Sequence, residues 1–265
     1  FFKALECFYH NPFNRDALRE CILKLYEGKE EKSVFRGMII PSLRHLGLIL
    51  GYEEDLRLSA NGNLIIIAKN NSLEEGLRVF RAVLTEIDEE SLNVLKLIKR
   101  KSVSYDRFRR LIIKRIKAPK EKQAKERLDH WLSMLMQLEL LTKKDDKIEV
   151  VSKNLAQAKK DLTAEEKIKQ FKEWFFDGYN LIFKKQENVP IVDIADIRLV
   201  VSQRFYEERR LVLTEKQFDT LLRKLPFTTD EYIVSLGRSM GAEEKVFEYE
   251  KGYYRTLSVR FLDDK

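Results

Sequence analysis

Glycine and proline are scarce, ten and five in 265 residues. So few chain breakers leave little room for long loops or flexible linkers, and favour long helices joined by short turns. There are only two cysteines, Cys7 and Cys21, and three histidines, His10, His45 and His130. Such a count excludes a disulfide-built secreted scaffold and a zinc site, which needs several ligands at close spacing. Both cysteines fall in apolar helical patterns and read as buried, inert thiols in a reducing cytoplasm. No window approaches the roughly 18 apolar residues of a membrane span. The chain opens on Phe1 rather than Met and reads as a fragment or processed product, so an N-terminal signal removed earlier stays open.

Catalytic and cofactor signatures are also lacking. The three histidines are far apart, with no triad or metal-ligand spacing around them, and His130, between Asp129 and Trp131, reads as a half-buried structural residue. There is no Walker lysine loop and no glycine-rich phosphate cradle, so no cofactor and no metal are expected. Acid-x-Lys triplets, a pattern that metal-dependent nucleases place on a strand, occur at Asp145 to Lys147, Glu165 to Lys167 and Glu243 to Lys245. All three sit at turns or helix starts of a Lys/Glu-rich chain, where chance supplies them. The chain is read as non-catalytic, with a nuclease as the third and weakest option.

What is abundant is charge, at 35% of residues, and its placement is uneven. Lys96 to Arg127 carries fourteen Lys or Arg against Asp106, Glu121 and Glu126. Residues 1 to 88 hold twelve basic and thirteen acidic groups, and residues 128 to 265 hold twenty-four and twenty-five. The whole excess of the +7 chain therefore lies in one central block.

Periodicity gives the organisation. Asp16 to Glu27 places Leu18, Cys21, Ile22 and Leu25 at helical spacing, with Gly28 as a stop. A short helix over Glu30 to Met38 follows, then a third with Pro41 in its first turn, ending near Gly47. In LGLILGYEEDLRLSANGNLIII, Asn61-Gly62 lies between alternating apolar runs and predicts a hairpin of strands Tyr52 to Leu58 and Leu64 to Ala68. Its acids Glu53, Glu54 and Asp55, with Arg57 the only cation, make it a poor surface for DNA. Ser72 to Glu75 is a capping box opening a connecting helix. Helices over Glu90 to Arg100, Ser104 to Lys117 and Lys120 to Leu140 come next, then LLTKKDDKIEVV, a short hairpin about Asp145-Asp146 that leaves almost no wing. Capping boxes at Thr163 and Thr214 open two further helices, with one over Val192 to Tyr206 between them. A strand over Tyr232 to Leu236 and a long hairpin about Lys251-Gly252 end the chain.

Helices followed by a hairpin, three times over, resemble tandem winged helix-turn-helix proteins, which include transcription regulators and non-catalytic subunits of replication, polymerase and restriction assemblies. The resemblance implies a mainly α fold with short β-hairpins (α+β), as units 1–72, 73–155 and 156–265 joined by longer helices. It is one of element order and carries no signature motif, and winged helices serve as protein adaptors as well as DNA readers.

The central block is the candidate DNA surface. In SYDRFRRLIIKRIKAPK, Arg107, Arg110, Lys114 and Lys117 fall on one helical face opposite Phe108, Leu111 and Ile112. The next helix opens with Lys120, Lys122, Lys125 and Arg127, where a recognition helix would enter the major groove. Cations at an exposed helix start oppose its dipole at about 0.3–1 kcal/mol each, and a polyanion relieves that cost. Phosphate contacts would dominate, with Gln123 or Arg127 for base readout. An acidic protein partner or a merely solvated basic face is the alternative. A second candidate is the last hairpin tip, with Lys251, Tyr253, Tyr254 and Arg255; the alternative there is that one tyrosine packs on the core while the other covers the sheet.

Two functions follow as expectations. One is DNA binding, to a duplex and through the basic middle unit, with recruitment of a partner enzyme or regulation of transcription. The other is a non-catalytic scaffold subunit of a restriction, defence or transcription assembly, meeting protein through its first or third unit.

Overall fold

The computed structural model describes residues 1–28, 30–32, 34–35, 39–51, 55–87, 95, 103–113, 121–161, 168–239 and 246–262. They are mostly helical with small antiparallel sheets, an α+β arrangement. Two compact units result, Phe1–Asn71 with Leu162–Lys265, and Ser72–Asp161. The helices expected over Glu90 to Arg100 (Leu95 apart) and the capping box at Thr163 lie outside the described residues.

The first unit begins with α1 (Phe2–His10) and α2 (Arg15–Leu25), whose first turn is capped by Asn14 accepting from the Ala17 amide at 3.1 Å. Cys7 and Cys21 are not free thiols. They form a disulfide that joins the two helices, with the Cα atoms 5.7 Å apart. The apolar setting read from the sequence holds for Cys7, which is buried. What spacing alone did not reveal is the tight turn at Asn11 to Asn14, which brings the inner faces of α1 and α2 together.

Next come α3 (Ile39–His45), with Pro41 in its first turn, then β1 (Ile49–Leu50), β2 (Arg57–Leu58) and α4 (Ala60–Asn71). Ile49 pairs with Leu58 and Leu50 with Arg57. The hairpin expected about Asn61-Gly62 is therefore absent, because both residues lie in the first turn of α4 and the predicted strand Leu64 to Ala68 is helix. A short continuous apolar run has no period of its own, and a helix buried on every side reads the same way as a buried strand. Leu64, Ile65, Ile66 and Ala68 have no exposed surface. The Ser59 hydroxyl accepts from the Gly62 amide at 3.1 Å and donates to the Gly47 carbonyl at 2.7 Å. Gly62 serves close approach rather than a turn, since a Cβ there would sit 2.1 Å from the Leu48 carbonyl oxygen.

From the other end of the chain come α9 (Ile168–Lys185), β6 (Val192–Asp193), α10 (Ile194–Arg209), α11 (Glu215–Lys224), β7 (Tyr232–Arg238), β8 (Phe247–Tyr249) and β9 (Gly252–Phe261). The sheet runs β6-β9-β7, with β8 also on β9. Trp174 meets Phe205 edge-on at 4.4 Å and Phe171 meets Phe218 at 5.3 Å, in a core that also holds Phe175, Tyr179 and Tyr232. Thr214 and Gln217 complete the capping box read from the sequence.

Within this unit Glu215 and Asn61 cap each other's helices. The Ala60 amide donates to the Glu215 carboxylate at 3.0 Å, and the Glu215 amide donates to the Asn61 side-chain oxygen at 3.1 Å. One turn along α11, Asp219 takes two bonds from the Arg198 guanidinium, at 2.8 and 2.9 Å, while the Arg198 side chain is only 2% exposed. Burial pushes the Asp219 carboxyl above its ordinary range, and Arg198 pulls it back.

The second unit contains α5 (Leu73–Ile87), β3 (Val103–Ser104), α6 (Tyr105–Ile113), α7 (Glu121–Gln137), β4 (Leu141–Lys144), β5 (Lys147–Val150) and α8 (Ser152–Asp161). Ser72 caps α5 by accepting from the Glu75 amide at 3.1 Å, and Leu77, Val79, Phe80 and Val83 are buried. Arg81, also buried, donates to the Leu138 carbonyl and the Glu139 carboxylate at 2.7 Å each. The hairpin about Asp145-Asp146 is larger than read: β4 and β5 pair over four positions, and β3 adds a third strand through Val103↔Ile148 and Ser104↔Lys147.

Two stability measurements check this packing. Gly62→Ala is expected to cost about 1–3 kcal/mol in urea unfolding, the range for forcing atoms into a filled site. Asp219→Asn, which strands a buried guanidinium, should cost about 3–5 kcal/mol, whereas the apolar pair Arg198→Met with Asp219→Leu should recover most of it. Equal losses in the single and double variants would contradict that account.

Candidate nucleic-acid interface

On α6, Phe108 is fully buried and anchors the helix. Arg107 and Arg110 face solvent, while Arg109 is half-buried and bonds Asp129 on α7 at 2.8 Å. These three arginines therefore divide by role. Arg109 ties two helices together. Arg110 keeps one contact, donating from Nε to the Asp106 carbonyl at 3.3 Å. Among the described residues, the Arg107 guanidinium meets no carboxylate.

Lys125 is exposed on α7. Lys122, Gln123 and Arg127 belong to the same helix, with side chains outside what the structure describes. Lys114, Lys117 and Lys120 lie outside the described residues altogether.

The start of α6 is fastened to the hairpin, because the Tyr105 amide donates to the Asp146 carbonyl at 2.7 Å. Lys143 lies over the Tyr105 ring, with Nζ 4.5 Å from its centroid. Lys144 and Lys147 are exposed and paired directly across the two strands. None of these three lysines is a DNA contact in the sequence reading, where Lys147 enters only through its acid-x-Lys triplet. The signal available was the lysine content of LLTKKDDKIEVV around a turn, which became informative once the strands placed those lysines beside α6.

The C-terminal hairpin tip is divided differently. Tyr253 is 58% exposed and Lys251 is exposed, but Tyr254 is half-buried and packs against the core. Its ring also lies close over Gly252, where a Cβ would come within 2.6 Å of the phenolic oxygen. Arg255 donates from Nε to Asp193 at 3.1 Å, and Asp193 also caps α10. The arrangement follows the alternative in which one tyrosine packs inward, and it leaves Arg255 already neutralised. The start of α11 is closed as well, since Glu215 and Gln217 are buried.

His10 and His45 are exposed, and the His130 side chain lies outside what is described. Among the described residues no group of three or more His, Cys, Asp or Glu could hold a metal ion. Of the triplet Asp145 to Lys147, the two aspartates form the hairpin turn and Lys147 opens β5, while the triplets at Glu165 and Glu243 lie outside the described residues. No described helix is long and apolar enough to cross a membrane. Comparison with family models, curated proteins and solved structures found no match to the chain.

Replacing each tyrosine separately tests the assignment at the tip. Tyr254→Ala should lower stability by more than about 1 kcal/mol, and Tyr253→Ala should stay within about 0.5 kcal/mol. The reverse order would place Tyr253 in the packing role.

Proposed function

We propose that the Ser72–Asp161 unit binds DNA by neutralising phosphates, and that it does so without catalysing a reaction. The observation that carries the reading is the exposed pair Arg107 and Arg110 on a helix anchored by Phe108. They lie inside the one stretch of the chain with a large basic excess. The order helix, strand, helix, helix, hairpin, with the strand before α6 paired to β5, supports a winged-helix reading of this unit. In that reading Lys114, Lys117, Lys120, Lys122, Lys125 and Arg127 extend the basic track, and Gln123 is available for a base edge.

A second role goes with the other unit. It carries no basic excess, and several of its arginines make internal pairs: Arg57 with Asp196, Arg198 with Asp219 and Arg255 with Asp193. We assign it to protein contact, as a scaffold that joins DNA to a partner enzyme in a restriction, defence or transcription assembly. A cytoplasmic location rests on this reading alone, and the Cys7–Cys21 bridge would there meet a reducing thiol pool.

The test is duplex binding by fluorescence anisotropy across a salt series. Affinity should fall steeply with salt, and Arg107→Glu with Arg110→Glu should weaken binding and lower the slope of log K against log salt by about 2, near 0.9 per lost phosphate contact. Salt-insensitive binding, or none, would overturn the proposal. Affinity capture under mild salt, read by mass spectrometry, tests the scaffold role, which fails if the chain returns alone.

A further inference from the structure

We propose that the Cys7–Cys21 disulfide is a reversible thiol-exchange site, opened at Cys21 by small thiols of the glutathione class, and that its reduction frees α2 while α1 stays docked on α4. The site stands apart from the DNA-binding reading above and does not depend on it.

The two sulfurs differ in access. Cys7 is 2% exposed and shares the inner face of α1 with the buried residues Ala4, Leu5 and Phe8, whereas Cys21 is half-buried on α2. Exchange begins when a thiolate attacks one sulfur of a disulfide, and its rate depends on access to that sulfur. The incoming sulfur therefore bonds to Cys21 Sγ. The bond between Cys21 and Cys7 breaks, and its electron pair leaves on Cys7 Sγ, which takes a proton from water. A second small thiolate then attacks the small-molecule sulfur of the mixed disulfide, and Cys21 leaves as a thiolate that is protonated in turn. Two small thiols are thereby oxidised to their own disulfide, and the protein bridge is reduced by two electrons.

What the bridge joins is unequal as well. Helix α1 has its own anchors, since Leu5 and Phe8 are buried and Glu6 pairs with Lys69 on α4. Helix α2 has 11 residues, a length at which an isolated helix is marginal in water. It gives Leu18 and Ile22 to the core. Its ion pairs, Arg19 with Glu31 and Lys24 with Glu20, lie at the surface, where such pairs add little. The turn that leads into α2 is costly too. Phe13 holds φ at 59°, a region disfavoured for a bulky side chain, and its ring is 60% exposed beside the Arg57 guanidinium. The disulfide spans 14 positions, and losing a cross-link of that span raises the open population about a hundredfold in the chain-entropy account. A costly turn and a short helix thus stay closed through a bond whose outer sulfur is within reach of solvent. The packing of α2 then follows the thiol–disulfide balance around the protein.

The experiment places the oxidised full chain in a glutathione redox buffer without denaturant, quenches it with acid and maps both cysteines by peptide mass spectrometry. Glutathione should be found on Cys21, with Cys7 as a free thiol, and excess oxidised glutathione should restore the bridge. Adducts mainly on Cys7, or on neither cysteine, overturn the assigned sulfur. A bridge that opens only when denaturant is added, or that does not re-form, overturns the exchange site. Hydrogen exchange then compares the oxidised chain with the chain reduced by dithiothreitol. Amides of α2 should exchange about a hundredfold faster after reduction, while those of α1 and α4 keep their rates. Equal acceleration in all three helices, or none in α2, overturns the release of α2.

Discussion

Two helix starts that cap each other hold together the unit built from both ends of the chain. Each helix begins with amides that have no partner inside the helix, and burying one unsatisfied costs about 1–3 kcal/mol. At α4 the Ala60 amide is satisfied by the Glu215 carboxylate, and at α11 the Glu215 amide is satisfied by the Asn61 side chain. With its first turn closed in this way, α4 can sit inside protein on every side. The run Leu64, Ile65 and Ile66 then becomes core, and Gly62 can approach the Leu48 carbonyl. The buried pair of Arg198 and Asp219, one turn further along α11, depends on the same placement of that helix.

The same exchange separates the two units in what they can do. Beginning helices are where backbone amides meet anions, and the start of α11 has already spent its amides on the capping box and Asn61. Elsewhere in this unit Arg255 is engaged by Asp193, Arg223 by the Glu248 carbonyl and Arg209 by Gln170. Among the described residues of the Ser72–Asp161 unit, Arg81 and Arg109 make internal pairs that join elements, while Arg107, Lys144 and Lys147 are turned to solvent. Pairing that builds the fold is thus distinct from charge left available, and the proposed DNA contact draws on the second kind.

Much of the local structure was legible because its determinants are short in range. Ser72 and Glu75, Thr214 and Gln217, Pro41 in a first turn, and the Asp145-Asp146 hairpin each depend on residues within about four positions, and each is found where the pattern placed it. Two features were misread because their cause lies elsewhere. Asn61-Gly62 has the composition of a hairpin turn, but it opens a helix whose first amides are met by the neighbouring Ser59 and by Glu215, distant in the chain. Cys7 and Cys21 carry the apolar context of buried thiols, and only the turn between α1 and α2 puts them within bonding reach. In the candidate site, periodicity picked out Arg107 and Arg110 as a solvent face but could not separate Arg109 from them, since its role is set by Asp129 on another helix.

The hairpin lysines show why charge counting along the chain falls short of locating a binding surface. The basic excess read from sequence ends at Arg127, and LLTKKDDKIEVV has three lysines against three acids, so its local balance is zero. The strands place Lys143 on the face of Ile148, and Lys144, Lys147 and Glu149 on the other. Lys144 and Lys147 share the outer face beside Ser104, the two aspartates are confined to the turn, and Glu149 is placed further along, opposite Thr142. Neutral composition thereby becomes a local cation pair next to the α6 arginines. Register, more than net charge, decides whether this segment contributes to an anion-binding surface.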